Sequence, residues 1–224
     1  MDSVRNVLPK AHHRSCAKHI ESNWCKKWTS GEMKKLMWWC AWSTNDEEFK
    51  DQLNKLGKLD ECVANDLVRI SQVAWCRAYF DTQCKNPIVD SNFTESFNSW
   101  VLEEKGIPII KMLEKIRVKV MEILANHEDK VRSCKSNYSS EFMKLYNNYR
   151  AIAHCCEAHF NGYYGYEVAE GDDKHIMNLE HNKCAYRMWD LSGIPCPHAI
   201  KAYLHKNIKP KTQIHWYYYK ETYL

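Results

Sequence analysis

The chain contains no long apolar run. Nothing in its 224 residues approaches the roughly 18 uninterrupted apolar positions of a membrane-crossing helix, and the densest aromatic stretch, residues 36–42, stops far short. The first residues, Met1-Asp2-Ser3-Val4-Arg5, lack the apolar segment of a secretory signal, so neither export nor a membrane partner is expected. Excess charge of one sign is also small. A formal net charge of +4 and a pI near 8.4 permit nucleic-acid contact but fall short of the strongly basic footprint of a dedicated binder. No dense Lys/Arg run offers a nuclear address, and neither an internal repeat nor a low-complexity tract is present.

Cysteine is plentiful, yet its count excludes as much as an absence would. Eleven thiols cannot all pair within one chain, and without a secretory segment a disulfide framework is not expected. In a reduced, soluble, intracellular protein they serve as core residues or metal ligands. With 45% hydrophobic and 12% aromatic residues, the chain is long enough to pack as one large or two small domains.

Most of the pattern is helical. Residues 11–27 place Ile20, Trp24 and Trp28 four apart on one face, and residues 31–43 and 45–56 repeat the theme. The second of these is expected to be capped by Thr44 or Asn45 and closed by Gly57. A short helix follows over 60–70, then a packed aromatic connector over 73–80 and a break at Asn86-Pro87. Helices are expected over 94–105 and 109–129, the longer with Ile109, Leu113, Ile116, Val120, Ile123 and Leu124 on one face and charges opposite. After a linker at 133–140, a helix over 141–160 gives way to strand alternation. Tyr164, Tyr166 and Val168 precede a turn at 170–173, and Ile176 and residues 178–179 resume the strand, so a hairpin leads into Cys184. Residues 197–205 read as a short helix, ahead of an aromatic tail at 215–219.

Cys184, Cys196 and His198 fall within fifteen positions around an expected turn. A structural zinc ion takes four ligands, commonly thiolates and imidazoles, and a hairpin followed by a tight turn can aim such side chains at one point. Gly193 and Pro195 allow the sharp approach, and the start of the 197–205 helix favours a thiolate at Cys196. The alternative is two buried core cysteines and a satisfied helix histidine. Of the tryptophans at 24, 28, 38, 39 and 42, core packing and base stacking are the two available uses.

Cys184-Ala185-Tyr186, nine intervening residues, then Cys196-Pro197-His198-Ala199-Ile200 resembles the SWIM-type zinc finger at the C-terminus of plant Mutator-like element transposases. The likeness extends to Trp189-Asp190-Leu191-Ser192-Gly193-Ile194-Pro195, to Asn178-Leu179-Glu180 before the motif, and to Tyr203-Leu204-His205-Lys206 after it. It implies Zn2+ as the cofactor. The pattern departs at Tyr186, where the family has a second cysteine; a phenol with a pKa of ~10 is a poor substitute for a thiolate. The nearest substitute for the fourth ligand is His181, with Cys155, Cys156 and His205 as others; otherwise water or nothing fills the position.

The resemblance covers the front as well. Pro9-Lys10-Ala11-His12-His13-Arg14-Ser15-Cys16-Ala17-Lys18-His19 is similar to a Cys-x-x-His segment of the family, with Cys16 and His19 sharing a helical face. Asn92-Phe93-Thr94-Glu95-Ser96-Phe97-Asn98-Ser99-Trp100 is similar to the segment bearing the last carboxylate of a catalytic Asp-Asp-Glu set, which places Glu95 at that acidic position. Glu95 equally suits the first turn of a helix capped by Thr94.

The implied fold class is mainly α, a helical insertion and a remnant of an RNase H-like transposase core, with a small C-terminal α+β zinc finger. Residues 1–135 correspond to the partial transposase region, with the insertion at about 28–85 and the Glu-bearing helix at about 94–105. Residues 136–224 hold a linker helix and the finger, whose core is about 164–206. Metal-assisted DNA cutting needs several carboxylates converging on divalent ions, and Glu95 alone cannot build that site. The resemblance thus implies zinc-ion binding by a catalytically inactive, transposase-derived protein, with a nuclear location implied by the family alone. DNA or protein contact would be made through the basic neighbourhood of Lys183, Arg187, Lys201, Lys206, Lys209 and Lys211, unless these form only a solvated face. The alternatives are a fragment of an active Mg2+-dependent transposase whose two aspartates lie upstream, or a decayed product whose helices expose faces made to cover a sheet.

Overall fold

Backbone donors near the front of the chain are satisfied from a distance. In the computed structural model, which describes residues 6, 7, 9 and 13–224, the N–H of Ser15 donates to the Ala74 carbonyl at 2.7 Å and that of Ala17 to Val89 at 2.8 Å. Residues 13–16 are thereby held outside the helix, and α1 covers only Ala17–Trp24, shorter than the expected 11–27. Residues 1–5 and 10–12 of the segments read above, and the Thr94 side chain, lie outside the described residues.

Helices α2 (Gly31–Trp42), α3 (Asp46–Leu59) and α4 (Glu61–Val68) follow in sequence. Asn45 starts α3: its side-chain oxygen accepts from the Glu48 N–H at 3.0 Å, and Glu48 returns the favour by accepting from the Thr44 N–H at 2.8 Å. The exchange resembles a capping box, with the Glu48 carboxylate reaching one residue beyond the N-cap to Thr44. Gly57 does not close α3, as the pattern suggested. The stop comes at Asp60, which turns extended because its carboxylate accepts from the Cys62 N–H at 2.8 Å and caps α4. The connector that follows packs as expected, in two short 3-10 turns, with Trp75, Cys76 and Phe80 buried. Met37, Phe49, Leu56, Leu67 and Trp75 centre the first core. Each large apolar side chain removed from water there contributes about 1.5–3 kcal/mol. Trp24 is buried and Trp28 and Trp38 pack against this core, while Trp39 and Trp42 remain exposed.

Helices α5 (Asn92–Glu103) and α6 (Ile109–Ser133) form a hairpin, yet no described residue from 90 to 137 joins any buried core. The apolar face expected on α6 is present, with Ile109 60%, Leu113 57% and Leu124 62% exposed and Ile116 and Ile123 half-buried.

Helix α7 (Ser140–Cys155), capped by the Ser139 hydroxyl, ends five residues before the expected 160. Cys156 is extended, and residues 157–162 become strand β1 (Glu157–Gly162), paired antiparallel with β2 (Gly165–Glu170). Pairing with a neighbouring strand outweighs the weak local preference for helix. Strands β3 (Asp173–Asn178) and β4 (Lys183–Cys184) complete an antiparallel meander in the order β1-β2-β3-β4. Helix α8 (Met188–Ser192) then leads through Gly193 to α9 (Pro197–His205), which packs on the sheet and on α7. Two further cores result. Tyr166, Val168, Met177 and Trp189 lie between sheet and α9, and Phe142, Tyr146, Ile200 and Ile214 lie between α7, α9 and the aromatic tail. The chain is therefore mainly helical with a small antiparallel sheet near its C-terminus. Among the described residues no helix is long and apolar enough to cross a membrane.

Candidate metal centre

Strand alternation turns Lys183 outward and Cys184 inward, opposite Met177 of β3. Twelve residues later Cys196 caps α9, Pro197 occupies its first turn, and His198 follows inside the helix. Gly193 makes this return possible: its φ is +73°, and a Cβ there would stand 2.6 Å from the His215 Cβ. All three side chains are buried.

The Cys184 and Cys196 sulfurs lie 3.7 and 3.9 Å from His198 Nδ1, and the three atoms sit within 4.8 Å of one another. Around a tetrahedral zinc ion, a thiolate sulfur at ~2.3 Å and an imidazole nitrogen at ~2.05 Å stand about 3.6 Å apart. The cluster thus has the dimensions of a coordination sphere and can hold a metal ion. On the far side of the ring, His198 Nε2 meets Glu170 Oε2 at 2.9 Å. A carboxylate only accepts, so the proton is on Nε2, and Nδ1 is the nitrogen that turns toward the sulfurs. Burial pushes the Cys196 thiol well above its ordinary range and the Cys184 sulfur adds to this, with His198 partly offsetting it. Burial alone would lower the His198 imidazole, but Cys196 and Glu170 together raise it. A bound cation would displace these shared protons.

The fourth corner is not a thiolate. Tyr186 stands edge-on to His198, ring centroids 5.2 Å apart, and His175 of β3 lies over the same ring at 4.0 Å. Burial raises the Tyr186 phenol, with Glu48 and Cys196 adding, which makes it a weaker ligand than a free phenol. His181, expected as the substitute, is not brought to the cluster. Asn178 Oδ1 accepts from the N–H groups of Glu180 and His181, and this turn leaves the His181 side chain 65% exposed, 4.0 Å from Glu180. Cys155 is exposed, and His205 sits exposed in the last turn of α9 beside Tyr166. Cys156 is buried and groups with Glu170 and His198, on the other side of that histidine's ring.

Glu170 and His175 were absent from the ligand set read from sequence. A signal for Glu170 existed: it shares strand parity with the buried Tyr166 and Val168, so its carboxylate faces inward at the strand end. His175 is paired in register with Val168.

The other candidates lie elsewhere. Glu95, in the first turn of α5, is exposed and ion-paired at 3.2 Å with Lys18 of α1; no described group of three or more potential ligands includes it. Neither Cys16, at the start of α1, nor the exposed His19 joins such a group. Of the basic neighbourhood, Arg187 is withdrawn from any phosphate. Its guanidinium donates to the carbonyls of Ala78 and Phe80, the latter at 3.1 Å, and so ties the ligand loop to the first core's connector. The reason is local: Arg187 takes a left-handed φ of 59° between β4 and α8, which faces it toward those carbonyls. Lys206 lies over the Tyr164 ring and Lys211 over Tyr146, while Lys183 and Lys209 are exposed. Compared with protein-family models, curated proteins and solved structures, the chain matches none.

Proposed function

We propose that this chain is a zinc-binding protein of transposase descent whose C-terminal finger, of SWIM type, holds one ion through Cys184, Cys196 and His198. The observation that carries the reading is the gathering of two sulfurs and Nδ1 at coordination spacing, with the opposite nitrogen held by Glu170. Thiolate and imidazole ligands suit zinc. A water molecule takes the fourth position, since Tyr186 is held protonated and His181 faces solvent. The role is structural: the ion fastens β4 to the start of α9, and the lysine-bearing surface around it offers contact to DNA or protein in the nucleus. Catalysis is not part of the reading, because Glu95 is committed to Lys18 on an exposed surface.

Metal analysis of the purified, reduced full chain tests the proposal. About one zinc per chain is expected, lost in Cys196→Ala. A metal-free protein whose C-terminal region remains fully folded would sink it. Mg2+-dependent nicking of DNA by this chain would overturn the non-catalytic part.

A further inference from the structure

Arg150 and His154 follow Tyr146 at successive steps of four, so the three share one face of α7. Opposite them, Asn207 takes a left-handed φ of 58° just past the end of α9 and turns the chain into a wall that carries Lys209 and Lys211. The two walls enclose a cleft of about 570 Å³, floored by Ile200, Leu204 and Ile208. Its size and apolar floor are those of a small-molecule site. Lys211 reaches across, its ammonium 5.5 Å from the centre of the Tyr146 ring.

Charge around this cleft is one-sided, although the chain as a whole is nearly balanced at +4. Residues 142–156 and 191–220, which supply both walls, contain no Asp or Glu. The one acid of α7, Glu141, is already paired with Lys144 at 2.9 Å. Among the described residues, Arg150, Lys209 and Lys211 have no carboxylate partner. Three unanswered cations lining an apolar hollow suit a ligand that concentrates about two or more negative charges in one group, as a phosphate does, on a flat or apolar body. Carboxylates spread along a peptide do not concentrate charge in this way, and the phosphates of a DNA duplex lie on a cylinder too broad to enter a cleft. We propose that this cleft binds a mononucleotide, with its phosphates among Arg150, Lys209 and Lys211 and its base on Leu204 and Ile208. The cleft shares no residue with the cluster of Cys184, Cys196 and His198.

Isothermal titration calorimetry of the full chain with ADP, adenosine and inorganic phosphate tests this. ADP should bind in the micromolar range, and adenosine or phosphate alone at least about tenfold more weakly. Arg150→Glu and Lys209→Glu should each weaken ADP binding about tenfold or more. Their far-UV circular dichroism and zinc content should match the wild type, since both side chains are exposed. Lys55→Glu, on the exposed side of α3, should leave ADP affinity as it was. Zinc content measured alongside separates a failure here from a failure of the metal reading. Absence of ADP binding at millimolar concentration, phosphate alone binding as tightly as ADP, or ADP affinity that survives Arg150→Glu overturns the proposal. So does a short DNA duplex that displaces bound ADP, which would give Lys209 and Lys211 to a nucleic-acid surface instead.

Discussion

Tyr186 occupies a place where chemistry and packing pull apart. Its ring seals one side of a buried imidazole, and its hydroxyl is a poor partner for a cation at neutral pH. Tyr186→Cys should therefore tighten zinc binding by about tenfold or more, measured by competition with a chromogenic chelator. A variant with unchanged affinity would place the fourth corner away from residue 186. Glu170 would act one step back from a bound ion. Glu170→Gln keeps the shape but removes the anionic acceptor for the Nε2 proton, and a loss of about 10- to 100-fold in metal affinity is expected in the same assay. At this scale the sequence showed the candidate ligands and concealed their surroundings. Cys184, Cys196 and His198 are legible because their spacing is local. Glu170 is brought to them by a strand pairing and His175 by a ring contact, neither of which has a spacing to read.

Elements were legible where their ends are set by neighbouring residues, and were missed where a distant segment decides. Asn45 and Glu48 cap α3 within four residues, and Pro197 opens α9, so both starts could be read directly. Asn45→Ala should lower stability by about 1 kcal/mol in urea unfolding, with the loss confined to the helical region. The errors have the opposite character. Helix α1 starts late because Ala74 and Val89 take its would-be N–H groups, and α7 stops early because β2 recruits residues 157–162 into a strand. Gly193 is the element boundary with least tolerance. Gly193→Ala meets both an unfavourable left-handed φ and the His215 Cβ, so a destabilisation of about 2 kcal/mol or more is expected, read as a lower urea midpoint at unchanged slope.

Across the whole molecule, the helical region and the sheet-bearing region share a seam. Arg187 fastens it with bonds to two connector carbonyls, and Lys85 adds a bond to the Asp190 carbonyl at 2.9 Å. Arg187→Ala leaves carbonyl acceptors of the connector unpaired in a half-buried position and should cost about 2 kcal/mol. It should also turn a single unfolding transition into two, visible by differential scanning calorimetry. An unsplit transition would show that packing alone holds the seam. The general basic surface anticipated from the lysines and Arg187 is accordingly smaller than composition suggests, because a guanidinium tied to main-chain oxygens is not offered to phosphate.

Leu191 lies between the two cysteines in sequence and belongs to the core that contains Trp75. The segment that spaces the thiols is thus a wedge driven into the opposite half of the protein. Coupling of this kind is reciprocal. If the centre is loaded, withdrawing its cation should shift the emission of Trp75 in the helical core as well as of Trp189 beside the cysteines, and loosening the helical half should ease the cation's departure, so tryptophan fluorescence becomes an optical gauge of the candidate centre.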